Sequence, residues 1–246
     1  MKIWMIFITF SLFLSAQNIP KEAKLAYQSG QYHKAKNILK KAGHAGNITA
    51  QVELGLMYKE AKGIEQSYKN ALYWLEKAAK KYNIEALYSL GEMYYGGLGV
   101  KQDFTQAIKW YKAAALEGDA QAQYNLGFMY EHAKGVKQNF VQALKWYEMS
   151  ANNNYLDGQY NTATFYYEGK GTQKSYKKAL HWYTKAAQQG DDKALYNAGL
   201  LFLKGKGVTM NKIRAFEYWL EAAKRSNVQA QNSLDILCKE SPWACR

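Results

Sequence analysis

The side chains that could do chemistry in this chain are few, and the most suggestive stretch is Ser175-Tyr176-Lys177-Lys178. It reads as S-x-x-K, in which a serine acts as nucleophile with a lysine nearby, the pattern of penicillin-recognising enzymes acting on cell-wall or β-lactam substrates. That chemistry also needs S-D-N and K-T-G elements, and neither occurs. Lys170-Gly171-Thr172 ends like a phosphate-binding loop, but the G-x-x-x-x-G-K-S/T spacing and a preceding strand are missing. His33, His44, His132 and His181 show no metal spacing and no relay, and read as solvated surface side chains. Cys238 and Cys245 lack the further ligands a zinc site requires and are expected to pair with each other. Residue chemistry alone therefore points away from catalysis and implies no cofactor or metal.

What positions these residues is a repeat. The stretch from Ile84 to Asp119 recurs without insertion or deletion from Ile48, Ala120, Leu156 and Asp192, with a period of 36 residues. A fixed period of that size means stacked supersecondary units, none able to bury its apolar face alone. Numbering each copy from its first residue, positions 3, 7, 10 and 11 are small or apolar at helical spacing, as in Ala86, Leu90, Met93 and Tyr94. A first helix ending near position 13 follows. Position 16 is always Gly (Gly63, Gly99, Gly135, Gly171, Gly207), where the chain must reverse with positive φ. Position 20 is Ser67, Asp103, Asn139, Ser175 or Asn211, each a good N-cap, so a second helix starts there. Ser175 thus has a capping role that explains it without a nucleophile. Position 36 caps the next first helix with Asn83, Asp119, Asp191 or Asn227, whereas Tyr155 breaks the pattern and predicts a looser entry. A mid-helix Gly at position 8, such as Gly91, costs about 1 kcal/mol and is expected to let facing small residues, the invariant Ala at positions 24 and 32, bring two backbones close.

These residues carry a family. The run Gly96-Gly97-Leu98-Gly99-Val100 followed by Trp110-Tyr111, and its counterparts in the other copies, resembles Sel1-like repeats, a branch of the tetratricopeptide-type solenoids. The resemblance covers residues 48–227 in five copies, plus a truncated copy from Val228. It implies an all-α fold, a right-handed α-solenoid of antiparallel helix pairs used as a binding scaffold. Members serve as adaptors, as secreted bacterial interaction factors and, in some operons, as periplasmic immunity proteins against phospholipase effectors of type VI secretion.

The ends frame this array. Lys2, the apolar run Ile3 to Leu14 and the Leu14-Ser15-Ala16 site read as a cleavable signal peptide over residues 1–16, a retained anchor being the alternative. The expected location is the periplasm or outside the cell, with no integral membrane span after processing. Residues 17–47 form an N-terminal helical cap with Gly30 at its turn. Residues 228–246 form a truncated repeat in which a Cys238–Cys245 disulfide is expected to tie Trp243 back onto the terminal helix, a closure contributing about 2–3 kcal/mol.

Once packing, turn and cap positions are set aside, the candidates for partner binding lie on the first helices. Position 6 is Glu53, Ser89, Asn125, Asn161 and Asn197. In the tetratricopeptide class an Asn on the first helix often holds an extended peptide, so the resemblance implies a concave polar ladder. The alternative is a polar contact between adjacent repeats. Beside it, Tyr95, Phe128, Glu131, Tyr167 and Glu168 supply the aromatic and polar mixture of interface hot spots. The tyrosines at position 5 (Tyr88, Tyr124, Tyr160, Tyr196) read as inter-repeat packing.

The formal net charge is +13, and Lys62, Lys101, Lys134, Lys137, Lys170, Lys174, Lys204 and Lys206 fall between the paired helices. Stacking would align them along one edge, able to touch an anionic surface or simply to keep the protein soluble. The function expected is a non-enzymatic scaffold for a protein partner, such as a secreted effector or envelope protein. The alternatives are an immunity protein against a phospholipase effector, a hydrolase acting through Ser175, and a binder of anionic polymer.

Overall fold

A computed structural model describes residues 19–245; the expected signal peptide lies outside these residues. Among the described residues there are thirteen α-helices, one short 3-10 helix and no strand. The chain divides into two compact units, Met1–Glu117 and Gly118–Arg246. The first contains α1 (Lys21–Gln28), α2 (Tyr32–His44), α3 (Ile48–Glu60), α4 (Tyr68–Ala79), α5 (Ile84–Gly96) and α6 (Phe104–Leu116). The second contains α7 (Ala120–Glu131), α8 (Phe140–Asn152), α9 (Leu156–Glu168), α10 (Tyr176–Gln188), α11 (Asp192–Lys204), α12 (Lys212–Lys224), α13 (Val228–Glu240) and the 3-10 helix Pro242–Cys245.

The helix starts follow the expected capping chemistry. Asn47, Asn83, Asp119, Asp191 and Asn227 each accept a hydrogen bond from the backbone N–H three residues on, and so do Ser67, Asp103, Asn139, Ser175 and Asn211. Each satisfies a donor that the helix itself leaves orphaned, worth about 1 kcal/mol. Tyr155 makes no such bond, so α9 is the one first helix of a full repeat that starts uncapped.

The helix ends need left-handed backbone. Gly97, Gly169 and Gly205 take φ of 70°, 78° and 62° at position 14, where the other two repeats hold Ala61 and Ala133, both at φ 53°. Two residues on, Gly171 combines φ 65° with a close approach: a Cβ there would run into the backbone of Phe140, the first residue of the preceding repeat's second helix. Gly99 faces Tyr68, and Gly207 faces Tyr176 and Lys177, in the same way. Position 16 is therefore the joint between successive repeats as well as a turn.

The mid-helix glycines at position 8 work differently from expectation. What lies nearest each is the large side chain at position 28, and the backbone carbonyl of the position-24 Ala71 also comes within 3.4 Å of a Cβ placed on Gly55. A Cβ on Gly91 would come 2.5 Å from the Tyr111 ring, one on Gly127 2.6 Å from Tyr147, and one on Gly199 2.5 Å from the Trp219 indole. The methyl group is absent so that an aromatic ring can lie flat across the first helix. Burying such a ring stabilises by roughly 2–3 kcal/mol, which offsets the propensity lost at glycine. Tyr111, Tyr147 and Trp219 are indeed buried, and the invariant alanines at position 24 are wholly enclosed. In the first unit the core runs from Ala23 and Leu39 through Leu54, Met57 and Trp74. In the second it runs from Ala143 and Tyr147 through Phe165, Tyr183 and Trp219 to Leu237.

At the C-terminus Cys238 and Cys245 are bonded, with their Cα atoms 5.7 Å apart. The residue brought inward is Ala244, at 2% exposure, while Trp243 stays 61% exposed with Lys212 Nζ 6.0 Å from its ring. The disulfide thus anchors the chain through the small side chain rather than the indole, because the 3-10 turn points Trp243 outward.

Candidate partner-binding surface

The first helices of the second unit, α7, α9 and α11, bring positions 5 and 6 of successive repeats together. Each position-5 tyrosine packs its ring on the position-28 aromatic of its own repeat: Tyr124 on Tyr147 at 5.6 Å, Tyr160 on Tyr183 at 5.7 Å, Tyr196 on Trp219 at 6.2 Å. The ring contact is therefore within a repeat, and the hydroxyl is what reaches the next one. Asn161 hydrogen-bonds to the Tyr124 hydroxyl, and Asn197 Nδ2 donates to the Tyr160 hydroxyl at 3.4 Å. Burial raises the pKa of Tyr124, with Asp157 adding to the shift, so it is a neutral partner for the amide.

Asn161 and Asn197 thus spend hydrogen-bonding capacity on stacking. In the first unit Ser89 is 2% exposed and presents no surface to a partner. Tyr95, in the same unit, is half-buried with its ring 5.2 Å from Phe104.

The partly exposed residues at positions 9 and 12 of the second unit are held from behind. Phe128 packs on His132 at 4.3 Å and Tyr167 on Tyr176 at 5.4 Å. Glu131 accepts a hydrogen bond from the Tyr147 hydroxyl at 2.8 Å and lies 3.8 Å from Lys170 Nζ, which in turn pairs with Glu168 at 2.8 Å. The Tyr147 hydroxyl is pushed far up by burial and by the Glu131 carboxylate, and the Glu168 hydrogen bond raises Lys170. The Glu131 side chain is therefore fixed in place.

The turn lysines are only partly available. Lys62 pairs with Glu60 at 2.8 Å, Lys170 is engaged as described, and Lys206 sits 4.8 Å over the Tyr176 ring. Lys101, Lys137, Lys174 and Lys204 are exposed. The S-x-x-K pair is not assembled. Ser175 Oγ accepts from the Lys178 backbone N–H at 3.4 Å, while Lys178 Nζ turns away to the Tyr166 hydroxyl at 3.2 Å and lies 4.6 Å over that ring.

Two sets of contacts are not evident in the sequence. Gln66, Gln102 and Gln138 each donate to the carbonyl seven residues earlier, closing the turn from the inside. Buried Gln51 and Gln159 donate to the carbonyls of Gly43 and Ala151 at the end of the preceding second helix. The recurrence of Gln at a single position is the only sequence signal for the first set.

Helix pairs of constant length, joined through recurring glycines and aromatic lids, define an α-helical repeat protein, an α-solenoid. The chain belongs to the Sel1 repeat family, whose repeat matches residues 48–83, 84–119, 120–155, 156–191 and 192–227. No curated protein matches the chain. Among solved structures it is similar to c5321, a protective antigen present in uropathogenic Escherichia coli strains, with 35% identity and a TM-score of 0.77 over 81% of this chain and 43% of that one. The chain thus spans less than half the length of that protein. It is also similar to a Sel1 repeat protein from Oxalobacter formigenes, with 30% identity and a TM-score of 0.73 over 87% of each chain. The immunity protein Pa5087 from Pseudomonas aeruginosa aligns at 19% identity with a TM-score of 0.46, too distant to bear on function. No helix among the described residues is long and apolar enough to cross a membrane.

Proposed function

We propose that this chain is an exported, non-enzymatic scaffold that captures another protein on the first-helix surface of the Gly118–Arg246 unit. The observation that carries this reading is the immobilised set Phe128, Glu131 and Tyr167. Phe128 and Glu131 occur at their positions in no other repeat, Tyr167 is matched only by Tyr95, and all three remain partly exposed and are each braced by a neighbour. Rigid aromatics beside a fixed charge lose little conformational entropy on binding, which is what makes such positions effective anchors. Asn125 lies on the same helix face one turn before Phe128 and belongs to the contact set. Asn161 and Asn197 take part chiefly by holding the repeats in register. The separation of Ser175 from Lys178 Nζ supports a scaffold over a hydrolase.

The test is capture from a cell-envelope extract by the immobilised full chain. Phe128→Ala and Tyr167→Ala are each expected to weaken capture about tenfold, the effect of truncating an anchor worth more than 1 kcal/mol. Undiminished capture by the double variant overturns the reading.

A further inference from the structure

From α2 to α6 in the Met1–Glu117 unit, charge is sorted by helix. The first helices α3 and α5 carry Glu53, Glu60, Glu85 and Glu92, and their one lysine, Lys59, is tied to Glu92 at 2.8 Å. The second helices α2, α4 and α6 carry lysines throughout and a single acid, Glu76. The basic side is continuous from α2 to α4, because His44 at the end of α2 packs on Trp74 of α4 at 4.8 Å. Lys40 and Lys41 lie one turn before His44 on its side of the helix, and Tyr73, Lys77, Lys80 and Lys81 follow one another on α4 and just past its end.

The residue after this run is the exception that gives the surface a purpose. Tyr82 sits in the left-handed region at φ 55° and is 70% exposed. The same turn position elsewhere holds Gly46, Gly118, Asn154, Gly190 and Ser226, all at positive φ. A tyrosine there costs about 1–2 kcal/mol relative to glycine. Little of that is recovered by packing, since Tyr82 is mostly exposed; a Cβ at the equivalent Gly46 or Gly118 would meet no atom within 4 Å, although one at Gly190 would meet the Arg225 guanidinium at 2.9 Å. A strained residue whose ring points into solvent indicates a role outside the fold. Its neighbours match it: Lys80 and Lys81 are exposed and, among the described residues, have no carboxylate within 4.0 Å. Tyr73 is 45% exposed beneath Lys77 Nζ, 4.7 Å from its ring.

We infer that the Lys80-Lys81-Tyr82 turn, backed by Lys77, Tyr73, Lys40 and Lys41, docks on the surface of an anionic phospholipid bilayer. Tyrosine favours the headgroup level of a membrane, where its ring is buried and its hydroxyl stays wet. Lysines beside it gain about 1 kcal/mol each from the negative surface potential. Three consecutive exposed residues at a turn between helices suit a headgroup layer better than the groove a nucleic-acid strand requires. The docking surface is independent of the partner-binding surface proposed for the other unit.

The experiment is sedimentation of the full chain with phosphatidylglycerol vesicles and, separately, with phosphatidylcholine vesicles. Every variant keeps the same N-terminal residues, so any pull of the leader on lipid cancels in the comparison. Lys80→Ala with Lys81→Ala is expected to weaken binding to phosphatidylglycerol roughly 30-fold, with little change on phosphatidylcholine. Tyr82→Gly is expected to raise the thermal midpoint while weakening phosphatidylglycerol binding several-fold. The proposal is overturned if neither variant loses binding, if the loss is equal on both lipids, or if the lysines govern capture of heparin or single-stranded DNA while phosphatidylglycerol is ignored.

Discussion

The side-chain amide of Asn197 donates to the hydroxyl of Tyr160 across 3.4 Å, joining two copies of the repeat through residues 37 apart in the chain. Asn161 makes the equivalent bond to Tyr124. A hydrogen bond of this length between neutral groups contributes about 0.5–1 kcal/mol. Asn161→Ala and Asn197→Ala are each expected to lower stability by that amount in urea unfolding, while partner capture changes no more than about twofold. A loss of capture comparable to that of Tyr167→Ala would mean that the amides contact the partner directly.

Ala61 and Ala133 occupy a left-handed turn position that the other three repeats give to glycine. Relief of that strain outweighs the extra freedom glycine gives the unfolded chain. Ala61→Gly and Ala133→Gly are therefore expected to stabilise by about 0.5–1 kcal/mol each, visible as an upward shift of the urea midpoint with unchanged slope.

Glu53 is 6% exposed, and burial, reinforced by repulsion from Glu85, raises its pKa to about 7. The folded state then holds a proton that the unfolded state has released. Glu53 costs nothing below the unfolded value of about 4.5 and destabilises progressively as pH rises through the folded value. Glu53→Gln is expected to stabilise by roughly 2–3 kcal/mol at about pH 8 and to be neutral near about pH 4. Thermal midpoints of the two proteins across that range decide it; a constant difference would show that the glutamate is not titrating.

Reducing the Cys238–Cys245 disulfide releases a short loop at the end of the second unit. The loss is about 2 kcal/mol in the chain-entropy account. Its effect is local: amide exchange in the Pro242–Cys245 turn and the end of α13 is expected to quicken, with α7 to α11 unchanged. Lys212 Nζ donates to Ser241 Oγ at 2.7 Å and offers the turn a second attachment. Lys212→Ala in the reduced protein is accordingly expected to deepen the effect.

Caps, turns and the disulfide were readable from sequence because each depends on chemistry within a few residues. Asp103 caps its own helix wherever that helix is placed. The use of glycine at position 8 was not readable, since Gly91 is explained by the ring of Tyr111, and nothing short of the pairing register puts those two together. For the same reason the Asn–Tyr bonds could be expected only as one of two alternatives. Ser89 shows the limit most clearly: at the position where three of its four counterparts are asparagines it lies within the core. A periodic polar residue specifies a helix face, but not the depth at which the neighbouring repeat covers it.

The joint at position 16 has an evolutionary corollary. Gly99 meets the first residue of one second helix, Gly171 that of another and Gly207 that of a third, in the same manner. Each of these glycines gives its copy a socket for the second helix of the copy before it, so this joint is the same whichever two of these copies meet. Unequal recombination in whole multiples of the period would therefore leave this joint intact, while pairings particular to two copies, such as Asn197 with Tyr160, depend on which copies meet.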